Sequence, residues 1–150
     1  WLLGSFQART WADALIVLAF FVPALLAALW SAVDLNIMTL GVRSAETLGV
    51  NTRRVRLQLL AAASLAASAA VSVAGVIGFV GLVVPHVLRL VLGCGHGPLL
   101  AGAFFGGGVL LVWADVLARS VLDGGQELPV GVVTALLGGP FFALLVRRRP

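Results

Sequence analysis

The chain has 150 residues, 61% of them hydrophobic and only 11% charged, with a formal net charge of +4 and a mean hydropathy of +1.10. Soluble domains are roughly 45–50% apolar and about 25% charged, so this composition excludes an ordinary soluble domain and indicates an integral membrane protein surrounded by lipid, with no nucleic-acid partner expected. All ten basic residues are arginine; without lysine a phosphate-binding GxxxxGK[ST] loop cannot be built, and any ATP that drives this protein is bound by another chain.

The sequence opens at Trp1 with neither an initiator methionine nor the charged start of a signal peptide, and reads as a piece of a longer polypeptide. The first apolar run covers 12–33, enough for one crossing. The polar stretch 34–56, DLNIMTLGVRSAETLGVNTRRVR, follows. Within it a short helix is expected over Ser44 to Leu48, with Gly41 and Gly49 as breakers and with Leu40, Ala45 and Leu48 as a small apolar face. This stretch is either a solvated connector or a docking element for a cytoplasmic protein; a mere connector between adjacent helices is usually shorter.

Residues 57–92 form an apolar run of 36 residues, too long for a single crossing of about 20. Two segments, 57–76 and 79–92, folded back on each other, suit the arginine distribution. Arg43, Arg53, Arg54 and Arg56 cluster in 34–56 and Arg147, Arg148 and Arg149 at the tail; both clusters belong on the cytoplasmic side. One crossing over 57–92 would put them on opposite faces, and two crossings bring both inside.

The split also makes 79–92 short, about 21 Å at 1.5 Å per residue against a core of about 30 Å. The turn Gly75–Gly81, GVIGFVG, is therefore expected below the outer surface, where irregular backbone survives only against protein or a water-filled cavity. On this reading Gly75, Gly78, Phe79, Gly81 and Pro85 mark a helix break beside a translocation pathway. The other reading is that Gly75, Gly78 and Gly81, three apart on one face, only allow close helix packing. His86, next to Pro85, either titrates in transport or is hydrogen-bonded to a neighbouring carbonyl.

The loop Gly-Cys-Gly-His-Gly follows. Cys94 is the single cysteine, which excludes an internal disulfide, and Cys94 with His96 falls short of the four ligands of a structural zinc site; no metal site is expected. The segment 98–118 contains Gly102 and Gly106, a GxxxG packing motif. At its end Asp115 and Arg119 are four apart, a spacing suited to an ion pair, and SVLDGGQELP reads as an exposed loop. Arg119 there either satisfies Asp115 alone or meets an acidic partner. The last segment is 129–146. In this arrangement eight arginines lie inside, Arg89 among them, and only Arg9 and Arg119 outside.

Taken together, LGVRSAETLGV (40–50), GFVGLVVPHVLRL (78–90), ADVLAR (114–119) and ELPVGVVTALLGGPFF (127–142) closely resemble the permease family of ABC importers for iron-siderophores, haem and vitamin B12, across essentially the whole chain. The resemblance implies an all-α membrane fold whose five segments are the sixth to tenth helices of a ten-helix subunit, the C-terminal half of one permease domain. It implies partners: an ABC ATPase carrying ATP and Mg, an external substrate-binding protein, and a second permease subunit in a homodimer. It implies a bacterial inner-membrane location with a cytoplasmic C-terminus. Leu40, Gly41, Ala45, Leu48 and Gly49 match the family's LG-x3-A-x2-LG pattern for ATPase coupling, although Val42 and Glu46 depart from its usual charges, and Arg119 matches an arginine that meets an acidic residue of the binding protein. No catalytic residue and no cofactor on this chain are expected. The alternatives are an ion-gradient-driven secondary transporter, which should show paired acidic groups near mid-membrane, and an intramembrane enzyme, which needs a converging set of reactive groups.

Overall fold

The computed structural model describes residues 3–93, 95–121 and 128–147, and among these every regular element is helical. Cys94, residues 122–127 of the stretch expected as an exposed loop, and Arg148 and Arg149 lie outside the described residues. The helices are α1 (Trp11–Trp30), α2 (Ala32–Met38), α3 (Val42–Thr47), α4 (Thr52–Ala74), α5 (Val80–Leu92), α6 (His96–Ser120) and α7 (Val130–Arg147). α1, α4 and α6 are long and apolar enough to cross a membrane, while α5 and α7 are shorter apolar helices.

Local chemistry sets the boundaries. Thr10 and Asp13 form a capping box at the start of α1: Thr10 Oγ1 accepts from the Asp13 N–H at 3.4 Å, and Asp13 Oδ2 accepts from the Thr10 N–H at 2.8 Å. Asn51 Oδ1 accepts from the Arg54 N–H at 3.0 Å and starts α4. Prolines 23, 85 and 140 lie inside α1, α5 and α7, each removing one helical donor, as transmembrane helices tolerate when neighbours compensate.

Packing fixes the directions. α1 and α4 are antiparallel, since residues 13–18 of α1 line one cavity with 67–74 of α4 while 19–24 line another with 62 and 65. α5 and α7 run in the same direction, because Val76, just before α5, meets Gly131, then Phe79 meets Gly138 and His86 meets Phe141. α6 starts against α2 through Asn36 and His96 and ends beside the start of α7, where Leu128 N–H donates to Ala118 O.

α4 ends where residues 4–5 and Gly131 lie, and α5 returns toward His96 and α2. The chain therefore reverses between Ala74 and Val80. One end of the helices carries Arg43, Arg53, Arg54, Arg56, Arg89 and Arg147, and the opposite end carries Arg9 and Arg119.

Two small cores close these ends. Ala45, Val50 and Val55 pack with Ile37, Met38 and Leu59 at the arginine-rich end, and Ala114, Ala118 and Val130 pack with Phe6, Leu111, Leu128 and Val133 at the other. Between them α1 buries no residue, and Leu15, Phe20, Leu26 and Trp30 stand exposed. An apolar helix that packs on α4 along one side and still buries no residue requires lipid or further protein around it.

Candidate functional site

Residues 40–50 have the shape of a helix-termination motif. Gly41 precedes α3 with φ +107°, and Gly49 follows it with φ +85°, both in the region that favours glycine. At the C-terminus the Val50 N–H donates to Ala45 O and the Gly49 N–H to Glu46 O, each at 3.0 Å. This is the Schellman pairing, completed by its usual hydrophobic contact, here Val50 on Ala45.

The LG-x3-A-x2-LG pattern thus divides by physical role. The glycines supply the backbone, and Ala45, 0% exposed, plugs the element against its own core. Leu40 and Leu48 are 68% and 63% exposed, so the three residues expected as one apolar face part company: Ala45 points inward and the two leucines outward. Glu46 is also internally engaged, its Oε1 accepting from Thr52 Oγ1 at 3.0 Å. The helix starts at Val42, two residues before the expected Ser44.

Two exposed leucines beside four arginines make a surface that can bury apolar area on a protein partner.

At the opposite end the break between α4 and α5 is built from residues 75–79. Gly75 closes α4 with φ +74°, and Phe79 precedes α5 in the left-handed region at φ +67°. The sequence offered no polar side chain to satisfy the backbone of this turn. The structure supplies backbone instead: Gly4 N–H donates to Val76 O at 3.0 Å, Ser5 N–H to Ala74 O at 2.9 Å, and Gly131 N–H to Gly4 O at 3.0 Å. Three chain segments meet there without room for side chains. A Cβ on Gly131 would stand 3.0 Å from Gly4 N and 3.1 Å from Val76 O, and one on Gly4 would strike Ile77.

From Val76 to Phe79 the chain descends along α7. A Cβ on Gly138 would collide with Cβ and Cγ of Phe79, and Gly138 lies seven residues beyond Gly131, about 10 Å along a helix. Gly131, Thr134 and Gly138 share one face of α7, at spacings of three and four, and all three are buried. Thr134 turns its hydroxyl back to Gly131 O at 3.1 Å, so this face is a smooth track for the break.

Gly75, Gly78 and Gly81 fall across the break between α4 and α5. They do not share a helix face, since Gly75 ends α4 and Gly81 lies in α5, and a Cβ on Gly78 or Gly81 would meet nothing within 4 Å. Close approaches are found at Gly4, Gly106, Gly131 and Gly138. Gly106, from the GxxxG motif, meets Val84 of α5. Pro85 lies inside α5, and His86 stacks edge-on against Phe141 with centroids 5.7 Å apart.

An apolar cavity of about 620 Å³ opens beside the break, lined by Phe6, Val17, Val71, Ile77 and Val80 among others, with Arg9, Thr10 and Asp13 at one margin. Arg119 Nε donates to Asp115 Oδ2 at 2.8 Å, and the arginine side chain remains 45% exposed. The His96 backbone N–H donates to Asn36 Oδ1 at 2.9 Å, and His96 Nδ1 lies 2.6 Å from the same oxygen.

Sequence reasoning missed the segment 4–5, the α7 track and the Asn36–His96 link. The signal for the track was present as glycines at 131 and 138, a seven-residue repeat on one helix face. Nothing in the sequence pointed to Gly4 or to Asn36, whose partners are about 70 and 60 residues away.

Comparison with known proteins adds the following. The model of the FecCD transport family matches residues 1–148. The chain is 44% identical over 149 residues to the hemin transport system permease protein of Yersinia pestis, covering 99% of this chain and 44% of that one. It is 44% identical to the cobalamin import system permease protein of Halobacterium salinarum, covering 99% of this chain and 40% of that one. A solved metal-chelate type ABC transporter in an inward-facing conformation superposes with a TM-score of 0.90 at 32% identity, over 99% of this chain and 49% of that chain. The chain thus spans a little under half the length of the curated relatives it matches.

Proposed function

The chain belongs to the FecCD transport family, and from that premise we propose that it forms the C-terminal half of a permease subunit that moves an iron-siderophore, haem or corrinoid inward across the bacterial inner membrane. ATP, with Mg, is bound and hydrolysed by a partner ABC ATPase. A second copy of the permease completes the pathway, and an external binding protein delivers the substrate.

The observation that carries this reading is the full-length similarity to hemin and cobalamin permeases. The position of the arginines supports the orientation: the end rich in arginine is cytoplasmic, which puts 34–56 and the C-terminus inside and Arg9 and Arg119 outside. On that inner face Leu40 and Leu48 are the contact residues for the ATPase, held outward by Gly41, Ala45 and Gly49. Gly75, Gly78, Phe79, Gly81 and Pro85 border the pathway near its outer half, where freed backbone is satisfied by protein.

Reconstitution of the full-length permease in vesicles with its ATPase and binding protein tests the function. ATP-dependent accumulation of hemin, cobalamin or a ferric siderophore is expected, and it should require both partners. Uptake driven by a proton or sodium gradient without ATP would replace this reading with a secondary transporter.

Arg119, at the outer rim, steers the binding protein by its charge. Because the side chain is 45% exposed, the effect is screened: Arg119→Glu is expected to weaken capture by about 1 kcal/mol, more at low salt than at high. Basal ATPase activity should stay at wild-type level. Equal affinity of Arg119→Glu and wild type at both salts, with Asp115→Asn reducing folded yield, would instead assign the pair to the helix end alone.

A further inference from the structure

The N-terminus of α6 is capped from another helix. Its own N-cap residue is Gly95, which has no side chain to offer and makes no side-chain cap, leaving the first N–H groups of the helix to find acceptors elsewhere. Asn36 of α2 supplies one: its Oδ1 accepts from the His96 N–H at 2.9 Å and meets His96 Nδ1 at 2.6 Å. The two residues are 60 apart in sequence.

Asn36 sits on the segment that carries α3. Ile37 and Met38, its neighbours, pack on the core of Ala45, Val50 and Val55, and the Leu40 and Gly41 N–H groups bond back to Ile37 O and Met38 O. Asn36 and Leu40 therefore belong to one hydrogen-bonded segment that packs on the same core as α3.

α6 in turn is a 25-residue helix, about 37 Å long. Along its length Gly106 lies against Val84 of α5, and Ala114 and Ala118 are 1% exposed against Val130 of α7. Its far turn carries Asp115 and Arg119. α6 thus makes a continuous run of packed contacts from Asn36 at one end to α7 at the other, the kind of contiguous network that can carry coupling.

Resting on the proposed function, we propose that Asn36 and His96 are positioning residues that tie the ATPase-contact segment to α6, so that movement at the cytoplasmic end reaches α5, α7 and the outer rim. The link joins the two halves of the cycle, ATP turnover below and binding-protein engagement above.

The test uses the full-length permease assembled with its ATPase and binding protein in vesicles. Three quantities are read: basal ATPase rate, its stimulation by the loaded binding protein, and uptake per ATP. Asn36→Leu keeps similar volume but removes the acceptor, and is expected to leave the basal rate in place while stimulation and uptake per ATP fall by about fivefold or more, the lower bound of a usual allosteric coupling. Asn36→Asp keeps an acceptor oxygen for His96 and should retain stimulation within about twofold, less than 0.5 kcal/mol.

A merely structural cap would lower the amount of folded complex and leave stimulation per complex unchanged, and that result overturns the inference. So does an Asn36→Leu complex that couples as wild type does. Failure of the wild-type complex to show any binding-protein-stimulated hydrolysis would instead overturn the proposed function itself.

Discussion

Gly138→Ala is expected to displace the break between α4 and α5 and to cost about 1–3 kcal/mol, the usual penalty for overfilling a packed site. The new methyl group has nowhere to go, because it would fall on Cβ and Cγ of Phe79. Phe79 cannot easily yield, since it already sits at φ +67°, a conformation that costs a bulky residue about 1–2 kcal/mol. The thermal midpoint of the full-length permease should fall, and substrate uptake should fall with it. Association with the ATPase should persist, because residues 40–49 lie at the other end of the helices.

Phe79→Gly removes the ring and relieves the backbone at once. The double variant Gly138→Ala/Phe79→Gly should therefore recover most of the lost midpoint, a coupling between contacting residues that distant pairs do not show. If Gly138→Ala melts with wild type, or if Phe79→Gly leaves its loss undiminished, Phe79 does not rest on the α7 track.

The second large effect separates two roles within residues 40–49. Ala45→Arg drives a guanidinium into a site that is 0% exposed; an unpaired buried charge costs several kcal/mol, so the segment itself should unfold and the complex should lose both folded yield and ATPase. Leu48→Arg lies on the outside, 63% exposed. It should leave the melting profile intact while weakening ATPase association by about 2 kcal/mol, the scale of a buried interface anchor. Co-purification of the ATPase at wild-type level with Leu48→Arg would show that this leucine is not the contact. Ala45→Arg alone cannot decide the question, because its contact lies within the chain.

Much of this molecule was legible in the one-dimensional pattern. Apolar run lengths placed helices close to where they form: 12–33 against Trp11–Trp30, 98–118 against His96–Ser120, and 129–146 against Val130–Arg147. The fold-back at 75–79 followed from length and arginine count, since membrane thickness and loop charge are constraints that act on any chain. The turn at Gly41 and Gly49 and the Asp115–Arg119 pair were legible because each joins residues within six positions, a distance that sequence spacing encodes. The polar stretch was less legible at its edges. Its first residues continue as α2 and its last begin α4 at Thr52, because Asn51 caps a helix there that hydropathy alone starts at 57.

What the tertiary structure alone decided is which side of each residue meets another segment. Leu40, Ala45 and Leu48 are all small or apolar, and their sequence spacing does not reveal that Ala45 turns inward while the leucines turn out. Gly75, Gly78 and Gly81 invited a packing interpretation, yet close approaches are found at Gly4, Gly106, Gly131 and Gly138, three of them where segments far apart in sequence meet. The backbone at Val76 is satisfied by Gly4 and the start of α6 by Asn36. The reason is that a buried donor or acceptor needs a partner in space and is indifferent to its position in the chain. Composition and periodicity determine that a helix ends; only the folded arrangement determines what its last carbonyl finds.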